Sequence, residues 1–201
     1  MILPTLEYEQ NLWRSGTQYV AGVDEVGRGA LAGPVVAAAV VFDCKHVPIL
    51  GVRDSKTLSP LQKNRFSADI TSSCLAHGIG AASASEIDTI GIVAATALAM
   101  KRALEKLAKT DHLLIDGLPF KEASLLSQYQ KTFIVKGDSK SYSIAGASIL
   151  AKVYRDTYMK KLAELHPHYL WQNNVGYGTK KHLENIKEYG PTEYHRLSFL
   201  Q

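Results

Sequence analysis

The stretch Tyr19-Val20-Ala21-Gly22-Val23-Asp24-Glu25-Val26-Gly27-Arg28-Gly29-Ala30-Leu31-Ala32-Gly33-Pro34-Val35-Val36-Ala37-Ala38-Ala39-Val40-Val41-Phe42 decides how this chain is read. Tyr19–Val23 has the length and apolar character of a short buried strand. Val35–Phe42 is too apolar and too β-branched for a surface helix, so it reads as a second strand. The glycine-rich segment 27–34 between them can turn the chain back as a hairpin. Asp24 and Glu25 stand where the first strand gives way to that turn.

Working outward, Ala76–Ser83 reads as a third strand. Ser85 can cap a helix that runs, with a break near Gly91, to about Lys109; Ile92, Thr96, Ala99, Ala103 and Leu107 share one of its faces. His112–Ile115 and Thr132–Val135 are apolar runs of strand length. From Ser143 to about Leu165, the positions Ile144, Ala147, Ala151, Tyr154, Tyr158 and Leu162 form a stripe at helical spacing. Lys152, Arg155, Asp156 and Lys160 lie off it. A last helix covers Lys180–Tyr189 and stops at Gly190-Pro191. Three strands joined by short turns, then strands separated by helices, predict an α/β fold with a mixed five-stranded sheet flanked by helices. A right-handed crossover would set the strand at 111–115 parallel to an earlier one. The expected organisation is one domain over residues 1–201, with a core at about 17–160 and a C-terminal helical appendage at about 161–201.

Composition excludes several classes. The 201 residues are 46% hydrophobic and 21% charged, an ordinary balance for a globular domain with a sizeable core. No apolar run is long enough to span a bilayer, and Met1–Gln10 lacks the pattern of a signal peptide. Cys44 and Cys74, the only two cysteines, form neither a disulfide framework nor a zinc pattern, so a cytoplasmic, reducing location is expected. The net charge of +4 permits a polyanionic partner without demanding one.

Acids recur at strand ends: Asp24 and Glu25 at the first, Asp116 after Leu113-Leu114-Ile115, and Asp138 beyond Ile134-Val135. Any one of them is most simply a strand-end cap or turn former. Were these ends neighbours, four carboxylates would converge, at a cost of several kcal/mol unless protons or cations neutralised them. Magnesium or manganese binds such oxygen ligands, and two ions about 4 Å apart can activate water and hold a phosphodiester. The glycine spacing loosely matches a dinucleotide fingerprint, but that fingerprint needs a following helix. Here a strand follows, and the adjacent acids would repel phosphate. A turn whose backbone comes close to a ligand, with Arg28 offering a planar donor fork, fits better.

The ordered blocks carry a further identification. The stretch 19–29 with Leu31-Ala32-Gly33-Pro34-Val35-Val36-Ala37, Asp54-Ser55-Lys56 with Leu58, and Glu86-Ile87-Asp88 with Gly91-Ile92 resemble bacterial ribonuclease HII. So do Ile115-Asp116-Gly117, Lys136-Gly137-Asp138-Ser139-Lys140-Ser141, Ala147-Ser148-Ile149-Leu150-Ala151-Lys152-Val153 with Arg155-Asp156, Gly176-Tyr177-Gly178-Thr179, and His195-Arg196 with Ser198-Phe199. The resemblance spans roughly residues 17–199. It implies a ribonuclease H-like fold and hydrolysis of RNA in RNA–DNA hybrids. It also implies incision 5′ of single ribonucleotides in duplex DNA, a role in ribonucleotide excision repair, and Mg2+ or Mn2+ as cofactor. By position, Asp24, Glu25, Asp116 and Asp138 look like the catalytic, metal-binding acids. Gly27, Arg28 and Gly29 look like the loop that reads the ribose 2′-hydroxyl, and Tyr177 like the aromatic that packs on the next deoxyribose. Lys56 is the expected phosphate contact.

Each assignment has a plainer rival. Arg28 could be a surface ion-pair residue and Tyr177 a packed turn tyrosine. Asp156, four after Lys152, suits a structural ion pair, and His166-Pro167-His168 a surface loop. Gly146 stands where the family's block has alanine, and the segment 118–131, with Gln128, Tyr129 and Gln130, has no assigned role. Two other functions compete: the sister ribonuclease HIII type, which has an extra N-terminal domain and lacks the Gly-Arg-Gly loop, and a non-catalytic nucleic-acid-binding module. A monomer suffices for all three.

Overall fold

The computed structural model of the protein describes residues 3–200. Helix α1 (Glu7–Arg14) precedes strands β1 (Val20–Val26) and β2 (Val35–Val41). Helix α2 (Pro60–Ser73) then leads to β3 (Ala76–Ala82), α3 (Ala84–Ile90) and α4 (Ile92–Leu104). Strands β4 (His112–Asp116) and β5 (Gln130–Ile134) follow, then the long helix α5 (Tyr142–Leu165), a single turn α6 (Trp171–Asn174) and α7 (Lys180–Tyr189). The five strands form one sheet in the order β3-β2-β1-β4-β5. β1 runs antiparallel to β2 and parallel to β4, as the crossover rule anticipates.

Alternation along β2 explains its wholly apolar sequence. Val35, Ala37, Ala39 and Val41 pack with Ala95, Ala99, Met100 and Ala103 of α4 on one face. Val36, Ala38, Val40 and Phe42 pack with Tyr142, Ala145 and Ile149 of α5 on the other, beside Phe66 and Ile70 of α2. Both faces of this interior strand are covered, so neither leaves room for a polar side chain. Gly22 on β1 lies so near the first turn of α5 that a Cβ would meet the Ser143 backbone at 2.2 Å.

The sequence expectation of three strands joined by short turns is wrong at the second connection, where α2 intervenes. Ser59 and Gln62 form a capping box and Pro60 opens the helix, a legible start signal. The helix buries only Phe66 and Ile70, so its apolar stripe is thin. Helix α1 was also not anticipated. The break at Gly91 between α3 and α4 is present, and β5 begins two residues earlier than expected.

In α5 the expected stripe drifts. Ile144, Ala147, Ala151 and Leu162 are buried, but Tyr154 is exposed, while Arg155 and Met159 are fully buried. The reason lies beyond α5: α6, α7 and the C-terminal tail pack on this half of it. Met159, Leu162 and Ala163 join Ala32, Tyr169 and Trp171 in a separate apolar cluster. An isolated bridge between Ala32 and His195 fastens the tail to the turn after β1.

Candidate active site

Parallel register brings the acids together. Val23 pairs with Ile115, so Asp24 and Asp116 occupy corresponding positions one residue on. Asp138 lies past the end of β5, in a short 3-10 turn from Gly137 to Ser139 that leads into α5. Asp116 accepts the Gly137 N–H at 2.6 Å, which holds that turn against β4. Asp24 and Asp138 are buried, 6% and 7% exposed. Burial, with Glu25 and Asp116 beside it, holds the Asp24 carboxyl well above its usual range, although the Ser148 hydroxyl donates to it. Glu25 is raised as well, by burial and by Asp116 against the pull of Arg28. Asp138 is pushed up to about 6 by burial and by its neighbours Asp54 and Asp116.

Lys56 faces this edge. Lys56 sits in a 3-10 turn whose cap is Asp54, and Ser55 Oγ ties that turn to Ser148 of α5 at 2.9 Å. Partial burial opposes the charge of Lys56, yet Asp54, Asp138, Asp24 and Asp116 together raise its pKa. Two hollows meet at Glu25. One is lined by Glu25, Arg28, Asp116, Gly117 and Phe120; the other by Asp24, Glu25, Lys56, Ser148, Lys152 and Tyr177. The expected Asp24, Glu25, Asp116, Arg28, Lys56 and Tyr177 line these joined hollows, and Asp138 lies beside them as a neighbour of Asp116 and Lys56.

The donor chemistry of this edge suits a hard divalent cation: oxygen atoms only, on carboxylates that repel one another. Among the described residues, no three His, Cys, Asp or Glu side chains are drawn together tightly enough to enclose an ion as they stand. The acids share an edge and are not closed around one point.

The turn from Gly27 to Gly33 is built from behind. Gly27 has φ +91°, and a Cβ there would strike the Arg155 side chain, so glycine is required on both counts. Arg155 donates to the carbonyls of Pro34 (2.9 Å), Val175 (2.8 Å) and Ala32 (3.0 Å). Arg196 donates to Gly33 (3.0 Å), Arg28 (2.8 Å) and Gly27 (2.7 Å). Both guanidiniums are fully buried. Burial, with Arg155 nearby, pushes Arg196 down to about 9. Arg28 is 51% exposed and reaches only Glu25, at 3.5 Å.

Tyr177 lies beneath this assembly, with the Arg155 guanidinium 5.5 Å from its ring centre. Its carbonyl accepts from His182 Nδ1 at 2.9 Å. His182 Nε2 in turn accepts from Trp171 Nε1 at 3.0 Å and faces His195 Nε2 at 3.2 Å. His195 Nδ1 accepts the Thr192 N–H at 2.9 Å. These partners fit neutral rings, with the proton on Nδ1 of His182 and on Nε2 of His195. Burial and the neighbouring His182 and His166 hold His195 down to about 4.

Sequence reasoning missed Arg155, Arg196, Ser148 and Asp54 as parts of this region, although each lies in a block already singled out. The Lys152–Asp156 ion pair is present at 2.7 Å. His166 packs on Trp171 and Tyr194, and His168 stacks on Tyr189. Both cysteines are free.

The family model for ribonuclease HII matches residues 21–201. A ribonuclease HII from Thermosynechococcus vestitus (strain NIES-2133 / IAM M-273 / BP-1) is 51% identical over 197 residues, covering 98% of this chain and 91% of the relative. The chain belongs to the ribonuclease HII family. Its fold agrees: the crystal structure of the ribonuclease H2 from Pyrococcus horikoshii OT3 matches with a TM-score of 0.73 at 28% identity, over 90% of this chain and 93% of that one. Bst-RNase HIII in complex with Mn2+ shares the fold at a TM-score of 0.70 and 23% identity, over 90% of this chain and 67% of that one. The ribonuclease HII family places this protein among the ribonuclease H endonucleases, acting on RNA–DNA hybrids. Among the described residues no helix is long and apolar enough to cross a membrane.

Proposed function

We propose that the protein cuts the RNA strand of RNA–DNA hybrids and incises on the 5′ side of single ribonucleotides embedded in duplex DNA, leaving 3′-hydroxyl and 5′-phosphate ends. One juxtaposition carries this reading: the edge of Asp24, Glu25 and Asp116, with Asp138 beside Asp116, meets Arg28 of the glycine turn at Glu25. These four acids would hold Mg2+ or Mn2+, which when bound supplies Lewis-acid activation of water and of the phosphodiester. Lys56 presents its ammonium to a phosphate oxygen, and the raised pKa keeps it charged. Backbone groups of the turn approach the 2′-hydroxyl, the group that separates RNA from DNA. The Tyr177 ring takes the space that a second 2′-hydroxyl would need. Water attacks in line, with no covalent enzyme intermediate. On this reading the chain works as a monomeric catalytic unit in ribonucleotide excision repair in the cytoplasm.

The test uses a labelled DNA duplex with one internal ribonucleotide and Mg2+, beside an all-DNA duplex and a continuous hybrid. One metal-dependent cut immediately 5′ of the ribonucleotide is the expected result. Cleavage of the continuous hybrid alone would assign the sister specificity, and tight binding without any cut would leave a binding module.

A further inference from the structure

The Gly27-Arg28-Gly29 turn should be loose by composition. Two of its three residues are glycines, and the Arg28 side chain has only a long contact to Glu25. Arg196 removes that freedom from beneath. Its planar fork takes the Gly27, Arg28 and Gly33 carbonyls at once. A peptide unit is flat, so a carbonyl held on one side fixes the next residue's N–H on the other. Holding the Gly27 carbonyl aims the Arg28 N–H, and holding the Arg28 carbonyl aims the Gly29 N–H. Among the described residues neither N–H is given to another group of the chain. The turn thus presents two fixed donors with nothing of the chain's own to satisfy them.

Arg196 is itself held. Its N–H donates to the Leu31 carbonyl at 2.8 Å, and its guanidinium lies 5.3 Å from the centre of the Phe199 ring. Immediately after it the tail is fastened to α3: Asp88 accepts the N–H groups of Leu197 (2.9 Å) and Ser198 (3.0 Å) and the Ser198 hydroxyl (2.5 Å). Asp88 is thereby linked to the turn through one residue.

We infer that Arg196, anchored by Asp88, is the positioning residue that aims the Arg28 and Gly29 N–H donors and so sets discrimination between ribose and deoxyribose at this turn. The inference rests on the reading of the turn given above. It requires a fork rather than a charge: the ammonium of lysine cannot reach three carbonyls in one plane.

The experiment compares Arg196→Lys, Asp88→Asn, Tyr169→Phe and Gly29→Pro, which deletes one of the two donors at a position with room for the ring, with the unaltered protein. Each is assayed for the ratio of cleavage at a single embedded ribonucleotide to cleavage of a continuous hybrid, and each is melted. Arg196→Lys is expected to lower the ratio about tenfold, with a smaller drop for Asp88→Asn in the same direction. Tyr169→Phe deletes a comparable bond, from its hydroxyl to the Gly190 carbonyl at 2.6 Å, and should cost stability without moving the ratio. If Gly29→Pro lowers the ratio while Arg196→Lys and Asp88→Asn leave it unchanged, the reading of the turn stands and the positioning role is overturned. If Gly29→Pro itself has no effect, the reading of the turn fails and takes the inference with it. Should Arg196→Lys not fold, Asp88→Asn decides alone, since it leaves Arg196 in place; an unchanged ratio there overturns the proposal.

Discussion

Asp24 and Asp138 of the carboxyl edge are buried, as are Arg155 and Arg196 of the clamp, yet their surroundings treat them differently. Arg155 and Arg196 spend their donors on six backbone carbonyls. Asp24, Glu25 and Asp138 instead each lie near Asp116, with pKa values raised by burial and by that shared neighbour's charge. A buried charge that the fold completes is part of the framework; one left in conflict marks where an outside partner is awaited. Burial alone does not distinguish the two cases. The census of partners does.

The largest effect should come from Asp24→Asn. Turnover is expected to fall at least about a thousandfold, while melting in the absence of divalent ions shows a gain of about 1 kcal/mol as a repelling charge disappears. A variant that loses both activity and stability would put Asp24 in the framework instead. The mirror experiment is Arg155→Met, which strands three carbonyls and should cost about 3 kcal/mol in urea unfolding.

Acid sharpens the same contrast. Asp138, at about 6 when folded against an ordinary 3.8, binds its proton more tightly in the native state, so stability rises as pH falls through that window. His195, at about 4 against 6.5, binds it less tightly, so stability falls between pH 6.5 and 4. The two oppose each other in the unaltered protein. Asp138→Asn removes one arm, and thermal melts should then drop more steeply below pH 6.5. A parallel curve would break the pairing. The smallest effect is Gly146→Ala, expected to raise stability by up to about 1 kcal/mol. A Cβ there meets the Phe42 ring at an ordinary 3.5 Å.

Much of this was legible in the chain. Val35–Phe42 announces a strand buried on both faces, and acids at successive strand ends announce a shared edge because parallel register aligns them. The resemblance to ribonuclease HII supplied expected roles for the turn at Arg28 and for Tyr177 that spacing could not. Arg155 was misread because periodicity reports one face of a helix, whereas α5 changes partners halfway along its length. Arg196 was opaque for a related reason: its bonds go to carbonyls, which every residue carries, so nothing in the sequence at 27–33 signals an arginine behind it. Helix α2 had a clear cap and was passed over because two buried side chains make a faint stripe.

The bond from Arg196 to the Gly27 carbonyl joins residues 169 positions apart. A nascent chain presents the turn and all four acids before residue 196 emerges, so the site takes shape in the order of synthesis and its clamp follows. Closing so long a loop belongs to the slow end of folding, and a ribosome-bound chain would carry an edge of acids and an unaimed turn. Discrimination between sugars, on this geometry, is a property the protein acquires only once residue 196 has docked behind the turn.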